Sequence, residues 1–162
     1  MFKRDILFHL ERWKDDTHRK PLILRGARQV GKTTVVNEFG KQFDNYLYLN
    51  LEKREAASLF ELNVSLKDLM PLFFAHCGKI RNEGTILLFI DEIQNSAKAV
   101  ALLRYFYEEL PDIYVIAAGS LLENLIDVRV SFPVEGCNIW HCVLVHFASF
   151  WVLLEKNLYY PF

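Results

Sequence analysis

Apolar and polar positions along the chain follow two alternating rhythms, one helical and one extended. Ile6, Leu7, Leu10 and Trp13 recur at helical spacing among charges, which predicts an amphipathic leading helix. "PLILRGA" then gives a wholly apolar run, Leu22 to Leu24, ending at a glycine turn, the pattern of a strand buried on both faces. Helical spacing returns with Val35, Val36 and Phe39, and Gly40 stands where a helix commonly stops. "YLYLNL", Tyr46 to Leu51, predicts a second strand. Ser65 is suited to cap a helix reaching Lys79, with Asp68 at its third position, Leu66, Leu69, Met70 and Phe73 facing inward, and Pro71 interrupting its middle. "TILLFIDE", Thr85 to Glu92, predicts a strand in the middle of a sheet, because its apolar run is satisfied only there. Ser96 opens a helix carrying Ala99, Val100, Leu103, Phe106 and Tyr107 and closing at Pro111, after which "IYVIAAGS" returns as a fourth strand. Such alternation argues for right-handed crossovers, hence an α/β fold with a parallel sheet covered by helices on both faces.

Composition narrows the picture modestly. A chain of 162 residues supports one ordinary domain with its own core. At 52% apolar and 24% charged residues, with a net charge of -1, it carries neither the signature of disorder nor a polyanion-binding charge excess. Cys77, Cys137 and Cys142 are an odd number, and the charged opening "MFKRDILFHLERWKDD" is no secretory signal, so a reducing cytoplasm is expected. The apolar run Ile139 to Leu154 contains two histidines and is shorter than a membrane-spanning helix requires, so no span is expected. Cys137, His141, Cys142 and His146 have the spacing of no standard zinc finger.

The chemistry concentrates at two places. Gly26 to Thr33, "GARQVGKT", fits G-x-x-x-x-G-K-[ST], with a predicted strand before it and a helix after it. A loop of this length turns its backbone N–H groups around an anion only by entering conformations that glycine reaches cheaply, and the following helix adds its positive end. The nucleotide-binding set is therefore Gly26, Ala27, Arg28, Gln29, Val30, Gly31, Lys32, Thr33 and Thr34, the cradle being mostly backbone. Lys32 is expected to reach the β- and γ-phosphates, and the Thr33 hydroxyl to ligate magnesium. Asp91 and Glu92 end a buried strand, at the sheet edge where open α/β folds bind ligands. Asp91 is expected to hold the metal through water and Thr33, and Glu92 to polarise the attacking water. If the fourth strand lies between the other two, Ser120 at its end faces the γ-phosphate or the water, although its hydroxyl equally suits an N-cap with Glu123. Arg104 reads as an i,i+4 partner of Glu108 before an arginine finger.

"RKPLILRGARQVGKTT", "YLNLE", "LLFIDEIQ", "LRYFYEELPDIYVIAAGSLLE" and "SFPV" together resemble the N-terminal ATPase domain of a prokaryotic family of predicted AAA+-type P-loop ATPases. The resemblance spans Phe2 to Val134 and implies an additional-strand P-loop fold of order 5-1-4-3-2, ATP as nucleotide, and a further C-terminal domain. Gly26, Gly31, Lys32, Thr33, Asp91 and Glu92 stand at its motif positions, and Ser120 at its sensor position. After "SFPV" the resemblance ends: a glycine-arginine pair, a fifth strand and a "P-x-S-F-x-E-F" helix start are expected, whereas residues 135–162 read as an atypical apolar tail. Back-translated from the third base of the Glu135 codon, the tail permits "RVQYMALRPCSFREFLG", so a frameshift near Val134 is the expectation. The fifth strand is then either missing, leaving an edge, or improvised from Asn138 to Phe147.

The expected function is an ATP-binding, Mg²⁺-dependent ATPase module yielding ADP and phosphate, with a homo-oligomer and an unidentified protein or nucleic-acid client as partners. A non-hydrolysing nucleotide-binding or interaction fragment is the alternative. Small-molecule kinases share the phosphate loop, but an adjacent acid pair suits activation of water better. GTP switching lacks an N-K-x-D base-reading motif.

Overall fold

The computed structural model describes residues 2–26, 29, 31–119, 138–145 and 150–155, with the side chains of 6–26, 29 and 31–119. Helix α1, Phe2–Asp15, leads into β1, Leu22–Arg25, and α2, Lys32–Gly40. Strand β2, Asn45–Asn50, is followed by α3, Arg54–Glu61, and α4, Leu66–His76. Strand β3, Ile86–Asp91, passes through a 3₁₀ turn, Ile93–Asn95, into α5, Ala97–Glu109, and β4, Ile113–Gly119. Two further strands follow, β5, Asn138–Val145, and β6, Phe150–Glu155.

The sheet runs β2-β3-β4-β1-β5-β6. Its first five strands are parallel, and β6 joins β5 antiparallel at the edge. Read from the other side this is 5-1-4-3-2 with an added outer strand, the P-loop order implied by the sequence resemblance. Strand β5 falls within the segment named as the source of an improvised strand, and its Asn138 to His141 stand in register with Leu22 to Arg25 of β1.

Alternation along β3 explains the two-sided core. Ile86, Leu88 and Ile90 meet α3, α4 and α5 through Phe60, Leu69, Phe73, Leu103 and Phe106. Leu87 and Phe89 meet α1 and α2 through Leu10, Trp13, Val36 and Phe39. Each large apolar side chain taken fully from water contributes roughly 1.5–3 kcal/mol, so this strand, buried at every position, anchors both layers.

Local chemistry sets the helix starts. The Ser65 hydroxyl accepts from Asp68 N–H at 3.2 Å and donates to the Asp68 carboxylate at 2.6 Å. Ser96 Oγ accepts from Ala99 N–H at 3.1 Å. Pro71 lies inside α4 without ending it, and the helix closes at His76, short of Lys79. Helix α2 stops at Gly40 as expected, with Lys41, right-handed at φ −65°, as its cap. The role of the glycine is proximity, since a Cβ there would stand 2.7 Å from the Tyr46 ring.

At the amino edge of the sheet, β2 and β3 are tied together beside their first residues. Buried Asn45 donates from Nδ2 to Asn82 O at 2.9 Å and accepts from Asn82 N–H at 2.8 Å. Asp44 accepts from Thr85 N–H and Oγ1–H at 2.8 and 2.9 Å. These ties hold the amino ends of two strands whose ladder pairs Tyr48 with Phe89 and Asn50 with Asp91 at the opposite edge.

Candidate functional site

At the carboxyl edge, β1 ends at Arg25 and the chain enters the glycine loop, while β3 ends at Asp91. Strand β4 lies between them, paired to both. Gly31 precedes α2 with φ 85° and ψ 14°, a left-handed conformation that a side chain makes costly, and its carbonyl accepts from Val35 N–H at 3.1 Å. The helix thus opens at Lys32 with its N-terminal amides beside the loop. Lys32 is buried, and its Nζ donates to Gly26 O at 2.8 Å, back to the residue that follows β1.

Asp91, 5% exposed, is the centre of a converging set of donors. Its Oδ2 accepts from the Thr33 hydroxyl at 2.7 Å and the Tyr48 hydroxyl at 3.2 Å, while Oδ1 accepts from Glu92 N–H at 3.0 Å. Glu92 itself adopts φ 53° and ψ 45°, left-handed for a residue with a side chain. Such backbone costs of order 1–3 kcal/mol and persists where its surroundings over-determine it. Here Asp91 holds its amide, its carbonyl accepts from Asn95 N–H, and Gln94 Nε2 donates to its carboxylate.

Gln29, Gly31, Lys32, Thr33, Thr34, Asp91 and Glu92 line one open cleft of about 240 Å³. The sequence-expected residues Gly31, Lys32, Thr33, Thr34, Asp91 and Glu92 therefore meet in one place, with Gly26 touching Lys32 from the loop base. Gln29 is exposed at φ 61°. Ala27, Arg28, Val30 and Ser120 lie outside the described residues. Arg104 lies away from the cleft, its Nε donating to Glu108 at 2.7 Å along the exposed face of α5. A cation beside helix amides suits a phosphate chain, and the hard oxygens of Thr33 and Asp91 suit magnesium.

Tyr48 was not singled out by sequence reasoning. Its signal was present only jointly, as the β2 residue two positions before the partner of Asp91. The ring stacks on Phe89 at 5.4 Å and 26°. Burial first, then the Asp91 charge, pushes the phenol up to about 12, so its hydroxyl stays a donor over the ordinary pH range. Tyr46, deeper on the same strand, is raised further by burial.

Among solved structures the chain is similar to a Walker-type ATPase of Pyrococcus abyssi, at 17% identity and TM-score 0.50 over 84% of this chain and 52% of that one. It is also similar to the Orc1 protein of Aeropyrum pernix in complex with DNA, at 14% identity and TM-score 0.58 over 90% and 44%. A third is Drosophila ORC bound to GC-rich DNA and Cdc6, at 13% identity and TM-score 0.55 over 88% and 56%. The chain thus spans about half the length of these structures, and at such identities the likeness shows the fold. No curated protein matches it. No helix among the described residues is long and apolar enough to cross a membrane. Over residues 18–139 the sequence matches the family described as AAA domain, and with the P-loop topology and the nucleotide cleft in place the chain belongs to that family of ATPase domains.

Proposed function

We propose that this chain binds ATP with magnesium and hydrolyses it to ADP and phosphate. The supporting observation is the 2.7 Å contact between Thr33 and Asp91 at a cleft that Lys32 and Glu92 also line. The loop amides and Lys32 Nζ would take the phosphates once Lys32 leaves the Gly26 carbonyl. Thr33 and Asp91 would hold magnesium, which when bound neutralises charge on the phosphate oxygens. Glu92, which lines the cleft, would accept a proton from the attacking water as general base. Ser120, one residue beyond β4, is proposed to contact the γ-phosphate or that water.

An arginine from a second copy is proposed to complete the charge stabilisation. Residues 1–134 are proposed as the ATPase domain and 135–162 as its appended tail. A cytoplasmic setting and a protein or nucleic-acid client belong to the same proposal.

Phosphate release by the purified chain, with and without Glu92→Gln, tests hydrolysis. Loss of about 10²- to 10⁴-fold in the variant, with Mg-ATP binding retained, is expected. Equal, negligible release from both proteins with retained binding would instead favour a non-hydrolysing nucleotide-binding module.

A further inference from the structure

Tyr48 lies outside the glycine loop and the acid pair, yet its hydroxyl shares one oxygen of Asp91 with Thr33. The placement follows from register and alternation. Tyr48 stands opposite Phe89, and Asp91 is two residues further along the same face of β3. Two residues of strand advance roughly 6.6 Å, about the reach of a tyrosine from its backbone to its hydroxyl. A phenol laid along β3 from its own pairing position therefore arrives at the carboxylate, and the stack on Phe89 fixes that course.

We propose that Tyr48 is a positioning residue for the magnesium-bound nucleotide: its hydroxyl holds the Asp91 carboxylate in place when Thr33 turns from that carboxylate to the metal. The proposal rests on the reading of Thr33 and Asp91 as the metal-holding pair. Thr33 and Tyr48 converge on Oδ2 while Glu92 N–H occupies Oδ1, so Asp91 is held from both sides. If Thr33 moves toward a metal, Tyr48 and the Glu92 amide remain to fix the carboxylate. Partners of this outer kind commonly change metal affinity or activity by 10- to 100-fold when removed.

Tyr48→Phe keeps the ring and deletes only the hydroxyl. ATP binding to the whole chain is measured by calorimetry in chelator and again across a magnesium titration, for wild type, Tyr48→Phe and Asn45→Ala. The Asn45 variant loosens the opposite end of the same strand and serves as the control for general destabilisation. Tyr48→Phe should bind metal-free ATP like wild type but require on the order of tenfold more magnesium for half-maximal enhancement, with Asn45→Ala following the wild-type curve. Superimposed curves for Tyr48→Phe and wild type would overturn the role of Tyr48 alone, as would an equal shift in Asn45→Ala. A wild-type chain whose ATP binding ignores magnesium would overturn the metal reading itself, and this inference with it.

Discussion

Asn45→Ala tests how far the two edges of the sheet depend on each other. Asn45 is 3% exposed and satisfies both backbone groups of Asn82 at 2.8 and 2.9 Å. Alanine removes both bonds and leaves Asn82 to water, which reaches it because that residue is exposed. At about 1–1.5 kcal/mol for each lost bond the cost is about 2–3 kcal/mol. For a chain of this size each kcal/mol moves the melting midpoint by about 2–4 °C, so a fall of about 4–12 °C is expected. Scanning calorimetry measures it directly. The remaining ladder from Tyr46↔Leu87 to Asn50↔Asp91 should keep its register, so nucleotide affinity well below the midpoint should match wild type. A midpoint within about 2 °C of wild type would show that the pair contributes little, and a lost affinity would show that this edge sets the site more directly than the ladder implies.

Gly40→Ala should lower the midpoint despite alanine's higher helix propensity of about 1 kcal/mol, because the Tyr46 ring is held by Asn37 and cannot easily yield. A double-mutant cycle with Tyr46→Ala should recover most of the loss, and additive effects would contradict the contact as its cause. Acid titration provides a further check through Asp44, whose carboxyl is held below its ordinary value chiefly by the Thr85 amide and then by its hydroxyl. A lowered aspartate adds stability that is present above its unfolded value of 3.8 and is lost as the pH falls through the folded value. The stability gap between wild type and Asp44→Ala, from urea melts, should therefore hold above the ordinary aspartate value of 3.8 and narrow as the pH falls below it. A gap that stays constant would exclude this carboxylate as the source.

Elements whose side chains face a single demand were legible in the sequence. Strands β1, β3 and β4 must be apolar on both faces, and α4 and α5 announce themselves through the serines that cap them. Helix α3 was not read, because "REAASLFE" buries only Ala56 and Phe60 in its short span and so offers too little periodicity. The helix stop at Gly40 was legible, but its second role was not: clearance for a ring shows only once the position of Tyr46 is known. The strand order followed from family resemblance, while the outer strand β6 had no counterpart in that expectation. The meeting of Lys32, Thr33, Asp91 and Glu92 at one cleft was legible from spacing because they belong to two short motifs at strand ends. Tyr48 was not, since its proximity to Asp91 exists only once β2 and β3 are in register. The left-handed backbone of Glu92 was equally hidden, as nothing in "IDEI" marks a conformation imposed by tertiary contacts.

That single backbone turn has a further consequence. In an extended strand, successive side chains look away from each other across the sheet, so two acids in a row would be divided between its opposite sides. By bending at the second acid, the chain brings both residues of an acidic dipeptide to the lining of one cleft, and that placement hangs on one pair of torsion angles. Residues branched at Cβ are least able to adopt those angles, so at this point the polypeptide is limited as much by the shape of its main chain as by the acidity of its side group.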